Sequence, residues 1–369
     1  MNALLRSLGH AVGPVCLVAA LGLPGCGDDK KPPVVDTDAG TETGPQKPVL
    51  DRKLAAAVKA AESAQASSGA KGGGDGPPES GFFGPGLADK AQAPGAPPKV
   101  EVIGNGGAPR FQLVPAPADE QRVTVSITQK THQGGGLQIE YGLSLKLDKP
   151  KDDKDKKDDK KADAPKGWRV AGKIASVGFP PGIPRELSDK LGKLKGVELR
   201  YAWSPATGVT DVSYGLPKDF DPALVDAVLR SLADAVAVAV PPVPQDPLGL
   251  GAYWMVTDRT VSFGLEVVRY RVYKVEKIDK DGASLSLDVR EYATKEDADL
   301  GGQKMTLLQF QGPGKGKLDW TPSAFVAPHA ELTQRTALAG TVPGGQQGSQ
   351  QGSFQADVVA RFTADEKKK

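Results

Sequence analysis

Between Phe111 and Phe362 apolar and polar residues alternate over long stretches. In "VTVSIT", Val123, Val125 and Ile127 share one parity and Thr124, Ser126 and Thr128 the other. In "LQIEYGLSLKL", Leu137, Ile139, Tyr141, Leu143, Leu145 and Leu147 alternate with Gln138, Glu140, Ser144 and Lys146, with "THQGGG" as the turn between the two runs. A period of two places one face of a strand against a core and the other in water, which predicts antiparallel hairpins rather than a fully covered parallel sheet. The design returns in "GLEVVRYRVYKVEKI", then "DKDG", then "ASLSLDV". Asp281-Gly282 is a strong hairpin signal there.

Further strands are expected over Trp168–Phe179, Val197–Ser204, Gly251–Ser262, Gln303–Gln311, Ala324–Ala337 and Ser353–Thr363. That makes about ten strands in two similar halves. One convincing helix separates them: Asp221 suits the cap, Pro222 the first position, and Pro241-Pro242 the stop. Leu224, Val228, Leu229, Leu232, Val236 and Val240 form an apolar stripe, while Asp226, Arg230 and Asp234 lie four apart as a solvated row. The expected fold class is mainly β (α+β): two antiparallel meander halves forming a curved sheet or half-barrel, with this amphipathic helix packed on the apolar face.

The first hundred residues follow another rule. Arg6 and the apolar run Ala11–Leu23 have the length of an export signal and fall short of a bilayer span. The stretch ends in Leu23-Pro24-Gly25-Cys26, which resembles the lipobox of bacterial lipoproteins. The resemblance implies cleavage between Gly25 and Cys26 and attachment of diacylglycerol and a further acyl chain, such as palmitate, to Cys26. Two or three chains at ~0.8 kcal/mol per buried methylene hold a protein on a membrane almost permanently. Cys16 lies inside the signal and leaves with it, so the folded region has neither a disulfide nor a thiol site.

The domain reading is therefore a signal peptide over 1–25, a lipidated cysteine and Pro/Gly/Ala-rich tether over 26–105, a β-rich domain over 106–365 and a basic tail over 366–369. With 45 glycines and 31 prolines, much of the chain is expected to lie outside a packed core. Within the tether, "DRKLAAAVKAAESAQ" (Asp51–Gln65) reads as a transient helix, and "VIGNGG" as the tether's end rather than a nucleotide loop, because no GxGxxG is completed. Residues 148–166 interrupt two strands; Asp148–Asp163 holds seven aspartates and seven lysines, a disordered loop of balanced charge whose lysines would repel a calcium ion.

Candidate chemistry is sparse. With 47 basic and 45 acidic residues, no global field recruits nucleic acid. The processed chain has two histidines, His132 and His329, without metal-ligand spacing, so no metal and no cofactor is expected. "QGPGKGKLDW" (Gln311–Trp320) departs from a phosphate loop, since Leu318 stands where Ser or Thr must bind magnesium, and is read as a glycine hairpin. Glu140, Glu266 and Glu291 are expected to face solvent. No nucleophile signature appears and no catalytic residue is assigned.

Two later stretches, "ELRYAWSPATGVTDVS" (Glu198–Ser213) and "PPVPQDPLGLGAYWMV" (Pro241–Val256), with the meanders on either side, resemble a family of uncharacterised bacterial lipoproteins. In that family a Ser-Pro-Thr-Gly turn and a later proline-to-tryptophan element mark corresponding places, here Ser204–Gly208 and Pro247–Trp254. The expectation that follows is a non-enzymatic binding or structural module, anchored in the cell envelope through Cys26 and more at the outer than the inner membrane. Its partner would be an envelope protein or cell-wall component. The alternatives are a carrier holding a lipid or lipoprotein in a half-barrel cavity, and a hydrolase without a recognisable motif.

Overall fold

The computed structural model describes residues 78, 80–131, 136–148, 167–216, 222–300, 303–342 and 350–365. Cys16, Gly25, Cys26, His132, the segment 51–65, residues 149–166 and the 366–369 tail lie outside these, as does Asp221.

The alternation translates into thirteen described strands in one antiparallel sheet: β1 (Lys99–Gly104), β2 (Glu120–Thr131), β3 (Gly136–Leu147), β4 (Trp168–Gly178), β5 (Glu198–Ser204), β6 (Gly208–Gly215), β7 (Tyr253–Ser262), β8 (Leu265–Ile278), β9 (Ala283–Ala293), β10 (Asp297–Leu300), β11 (Gln303–Trp320), β12 (His329–Val342) and β13 (Gln350–Ala364). Their spatial order is β1-β7-β8-β9-β11-β12-β13-β2-β3-β4-β5-β6, with β10 on the outer end of β11. The two meanders are thus one sheet. They join through β13 and β2, from Ala356 opposite Thr131 to Ala364 opposite Val123.

Three described helices accompany the sheet: α1 (Leu87–Ala91), α2 (Arg185–Gly192) and α3 (Pro222–Ala239). Helix α3 is the crossover from β6, at one end of the sheet, to β7 near the other. Gln129 of β2 hydrogen-bonds Ser231 of α3, Tyr273 of β8 donates to the Val238 carbonyl, and the β6 turn rests on the residues after the helix. A flat sheet of twelve strands would be ~50 Å wide, whereas a helix is ~10 Å across. One helix touches β2, β6 and β8 together only because the sheet curls round it. The core confirms it: Val228, Leu229, Leu232, Val236 and Val240 are buried among Val123, Val125, Ile127, Tyr141, Leu199, Trp203, Trp254 and Tyr273. On β12 and β13 the opposite face is charged, with Arg335–Asp357 and Arg361–Glu331 ion pairs.

The two motifs behind the family resemblance meet at the C-terminal end of α3. In the turn Ser204–Gly208 the Thr207 amide donates to Ser204 Oγ (3.1 Å), and Gly208 takes φ +68°. A Cβ there would stand 2.9 Å from Pro242 Cγ, so glycine is required by backbone and by space. The Val243 amide reaches the Pro205 carbonyl (2.7 Å) and Trp254 Nε1 the Pro242 carbonyl (2.9 Å). Both motifs therefore clasp the helix between the ends of the sheet.

Four expectations need correction. The strand at Gln303 does not stop at Gln311: β11 runs on to Trp320, and "QGPGKGKLDW" is strand, paired with β9 and β12. Its glycines at 312, 314 and 316 lie on the inward face, where a Cβ would meet Glu291, Gln334 or Leu332 at 2.2 to 2.6 Å. They give room to neighbours' side chains rather than turning the chain. The tether expected over 26–105 includes, from Ser80 onward, residues packed on the domain: Phe83 is buried, and β1 pairs with Tyr253–Thr257 of β7. Three strands escaped the pattern, β1, β6 and β10, all short. Glu291 is the fourth correction.

Candidate functional site

On β8 the inward parity reads Leu265, Val267, Arg269, Arg271, Tyr273, Val275, all buried. Tyr273 and Val275 belong to the main core round α3. Leu265 and Val267 belong to a second core with Ala293, Ala298, Met305, Leu307, Phe310 and Leu338. Two arginines lie between, and a charge is buried only with partners. The register supplies them: Asp258 of β7 and Glu291 of β9 both face Arg269, and Thr336 of β12 extends the polar belt beyond Gly312.

Arg269 makes a bidentate pair with Asp258, Nη2 to Oδ2 at 2.7 Å and Nε to Oδ1 at 3.2 Å, and its Nη1 reaches Asp234 of α3 at 2.6 Å. Arg271 Nη2 lies 3.4 Å from Asp258, while its Nη1 donates to the Ala237 carbonyl at 3.1 Å. With Tyr273 on Val238 and the Ala327 amide on Ala239, the last three carbonyls of α3, which have no partner inside the helix, are satisfied by β8 and the β11–β12 loop. A guanidinium at that end also complements the helix dipole.

Burial would push the Asp258 carboxyl up, but the charges of Arg269 and Arg271 outweigh it and hold it below the usual range. Burial pushes Glu291 up to about 7, against the pull of Arg269. Glu291 is almost fully buried, and its Oε2 has no hydrogen-bond partner among the described atoms. The expectation that Glu291 faces solvent is thus overturned, because it shares the inward parity of Leu285, Leu287 and Val289. Glu140 and Glu266 are exposed as expected. In the helix row Arg230 is exposed, whereas the Asp234 side chain, only 40% exposed, is spent on Arg269.

The belt meets the surface beside α3. A cleft of about 530 Å³ opens where the sheet's ends approach each other: β6 forms one wall, Asp258–Val261 of β7 the other, residues 95–98 a rim and α3 the floor through Arg230, Ala233, Asp234 and Ala237. Its depth ends on Arg269, and its walls carry carboxylates and guanidiniums together. By contrast, the space between α3 and the β2–β3 face, round Ile127, Tyr141 and Val228, is only about 10 Å³.

His329 is exposed at the start of β12. Among the described residues no group of three or more His, Cys, Asp or Glu could hold a metal ion, and no helix is long and apolar enough to cross a membrane. Sequence reasoning missed Arg269, Arg271 and Asp258, yet their signal was present: charged residues at the inward parity of strands otherwise apolar there. No protein-family model, curated protein or solved structure matches this chain.

Proposed function

We propose that this protein is a lipid-anchored, non-enzymatic binding module of the bacterial cell envelope, held at the membrane through Cys26, and that the cleft between β6 and β7 is where it meets its partner. One observation carries the reading. Helix α3 packs into the concavity of the sheet, leaving about 10 Å³ against β2 and β3, room for one water at most. A cargo carrier with this topology would keep that face hollow, since ligand cavities are usually several hundred Å³. The cleft of about 530 Å³ has a different character, with charges of both signs beside Val209, Val212 and Val261. That lining suits a polar, extended segment of an envelope protein or cell-wall polymer better than an acyl chain. The buried arginines hold α3 through Asp234 and the Ala237 carbonyl, and β7 through Asp258, which is a structural task.

The lipobox resemblance at Leu23–Cys26 supports the anchor, and the clasp made by the family-like motifs supports a structural role for them. Native mass spectrometry of the chain gently extracted from its own envelope tests the reading. The expected mass is that of the chain from Cys26 plus its covalent lipid and nothing apolar besides. A stoichiometric lipid that survives removal of the covalent anchor would support the carrier instead.

A further inference from the structure

The ladder between β9 and β11 runs from Ala283 opposite Trp320 to Glu291 opposite Gly312 and then forks. Into the fork goes the chain arriving from the N-terminal side. The Phe310 amide donates to the Ser80 carbonyl, the Ala293 amide to Gly81 and the Phe83 amide to Ala293, each at 2.9 Å. Phe82 turns to the second core, and Phe83 to the other face against Val268, Ala88 and the Tyr292 ring, 6.0 Å away. Gly81 fills its place completely: a Cβ would stand 1.7 Å from the Phe310 carbonyl oxygen. Farther along, Arg259 grips this strap through Asp89 at 2.6 Å and the Gln92 carbonyl at 3.1 Å.

Glu291 is therefore the last inward residue before the wedge. From β8 it faces Arg269, with Arg271 beyond; from β7, the Ser262 hydroxyl and Asp258; from α3, Asp234. Across the bare Gly312 of β11 comes Thr336 of β12, whose Oγ1 is also without a partner among the described atoms. Each Arg269 nitrogen already donates to Asp258 or Asp234, and Glu291 Oε2 receives no hydrogen bond from the described atoms. A carboxylate at this position has one hydroxyl as donor and an arginine already shared by two other carboxylates, so its ionised form gains from hydration. The fork begins two residues farther along β9, closed by the strap's three main-chain bonds and the packed rings of Phe82 and Phe83.

We propose that Glu291 and the strap Ser80–Phe83 form a proton-controlled latch: the protonated carboxyl keeps the strap wedged between β9 and β11, and ionisation releases it. In the closed state the proton is held up to about 7; in an opened, wetted fork glutamate returns to its ordinary 4.5. Protons thus favour the closed latch between these limits, and opening rises with pH by at most about 300-fold across that window. This follows from the fork itself and does not depend on the anchoring of Cys26.

Hydrogen exchange of the full chain at pH 5 and pH 8.5, corrected for intrinsic rates, tests the latch. Protection of the Phe83, Ala293 and Phe310 amides should fall by ~10- to 300-fold while the Leu287 amide, inside the paired part of β9, keeps its own. Glu291→Gln should abolish that fall. Equal protection of the three amides at both pH values, a fall shared with Leu287, or a fall that persists in Glu291→Gln would each overturn the proposal. If Glu291→Gln does not fold, Asp89→Asn, an exposed change that loosens the strap, should lower protection at both pH values and keep the pH dependence. Wild-type protection in Asp89→Asn would equally overturn it.

Discussion

Replacing Asp258 by Asn keeps the shape of the side chain and removes the charge on which two buried guanidiniums converge. Arg269 would retain Asp234, a partner that is itself 40% exposed; Arg271 would retain a carbonyl and a phenol. Both arginines are 3% exposed, so neither can recover solvation. Breaking a buried pair from one side costs about 3–5 kcal/mol, a large part of the roughly 5–15 kcal/mol that holds a domain folded. Urea unfolding followed by tryptophan fluorescence should show that loss, with the midpoint moved and the slope retained. A further Arg269→Met change should return part of it, since the stranded charge is then gone. A loss below about 1 kcal/mol in Asp258→Asn would refute the claim that this belt locks α3 to the sheet.

The pH dependence of stability separates the two carboxylates. Asp258, held low by the arginines, stabilises the fold above its ordinary value and loses that contribution as the pH falls through its folded value, whereas Glu291, held high, is most favourable below 4.5 and loses its contribution as the pH rises to about 7. Thermal unfolding should therefore peak between these limits, and Glu291→Gln should flatten the alkaline side by up to about 3 kcal/mol. Leu232→Ala in α3, fully buried in the main core, should cost about 2–5 kcal/mol in the same urea assay. Gly81→Ala should expel the strap without unfolding the sheet, seen as rapid tryptic cleavage at Lys90 and Lys99 while β8 and β9 resist. Cys26→Ser should leave the chain unlabelled by radioactive palmitate and move it to the soluble fraction.

The sheet was legible where strands alternate strictly and turns have plain chemistry. "DKDG" makes the β8–β9 turn, with Asp279 Oδ1 accepting the amides of Asp281 and Gly282. The helix was legible from its stripe and its prolines. The second half of β11 was not, because Gly312, Pro313, Gly314 and Gly316 look like punctuation unless one knows that Glu291, Gln334 and Leu332 need the space they leave. Pairing of β13 with β2 lies beyond any local signal, since the partners are more than two hundred residues apart. The belt was legible in part: arginine at the buried parity of β8 announces an acidic partner, but only the register says that Asp258 and Glu291 both stand beside it. The strap was hidden by its composition, since Pro and Gly also build tethers, and only Phe82 and Phe83 hint that something there is buried.

Site-specific photo-crosslinking in intact cells tests the binding role most directly. A crosslinker in place of Val212, exposed at the mouth of the cleft, is compared with one in place of Lys274, exposed on β8. One discrete envelope product is expected from the Val212 position, disappearing when Asp211 and Arg230 are both changed to alanine, and none from Lys274. No product from Val212, or the same products from both positions, would contradict it.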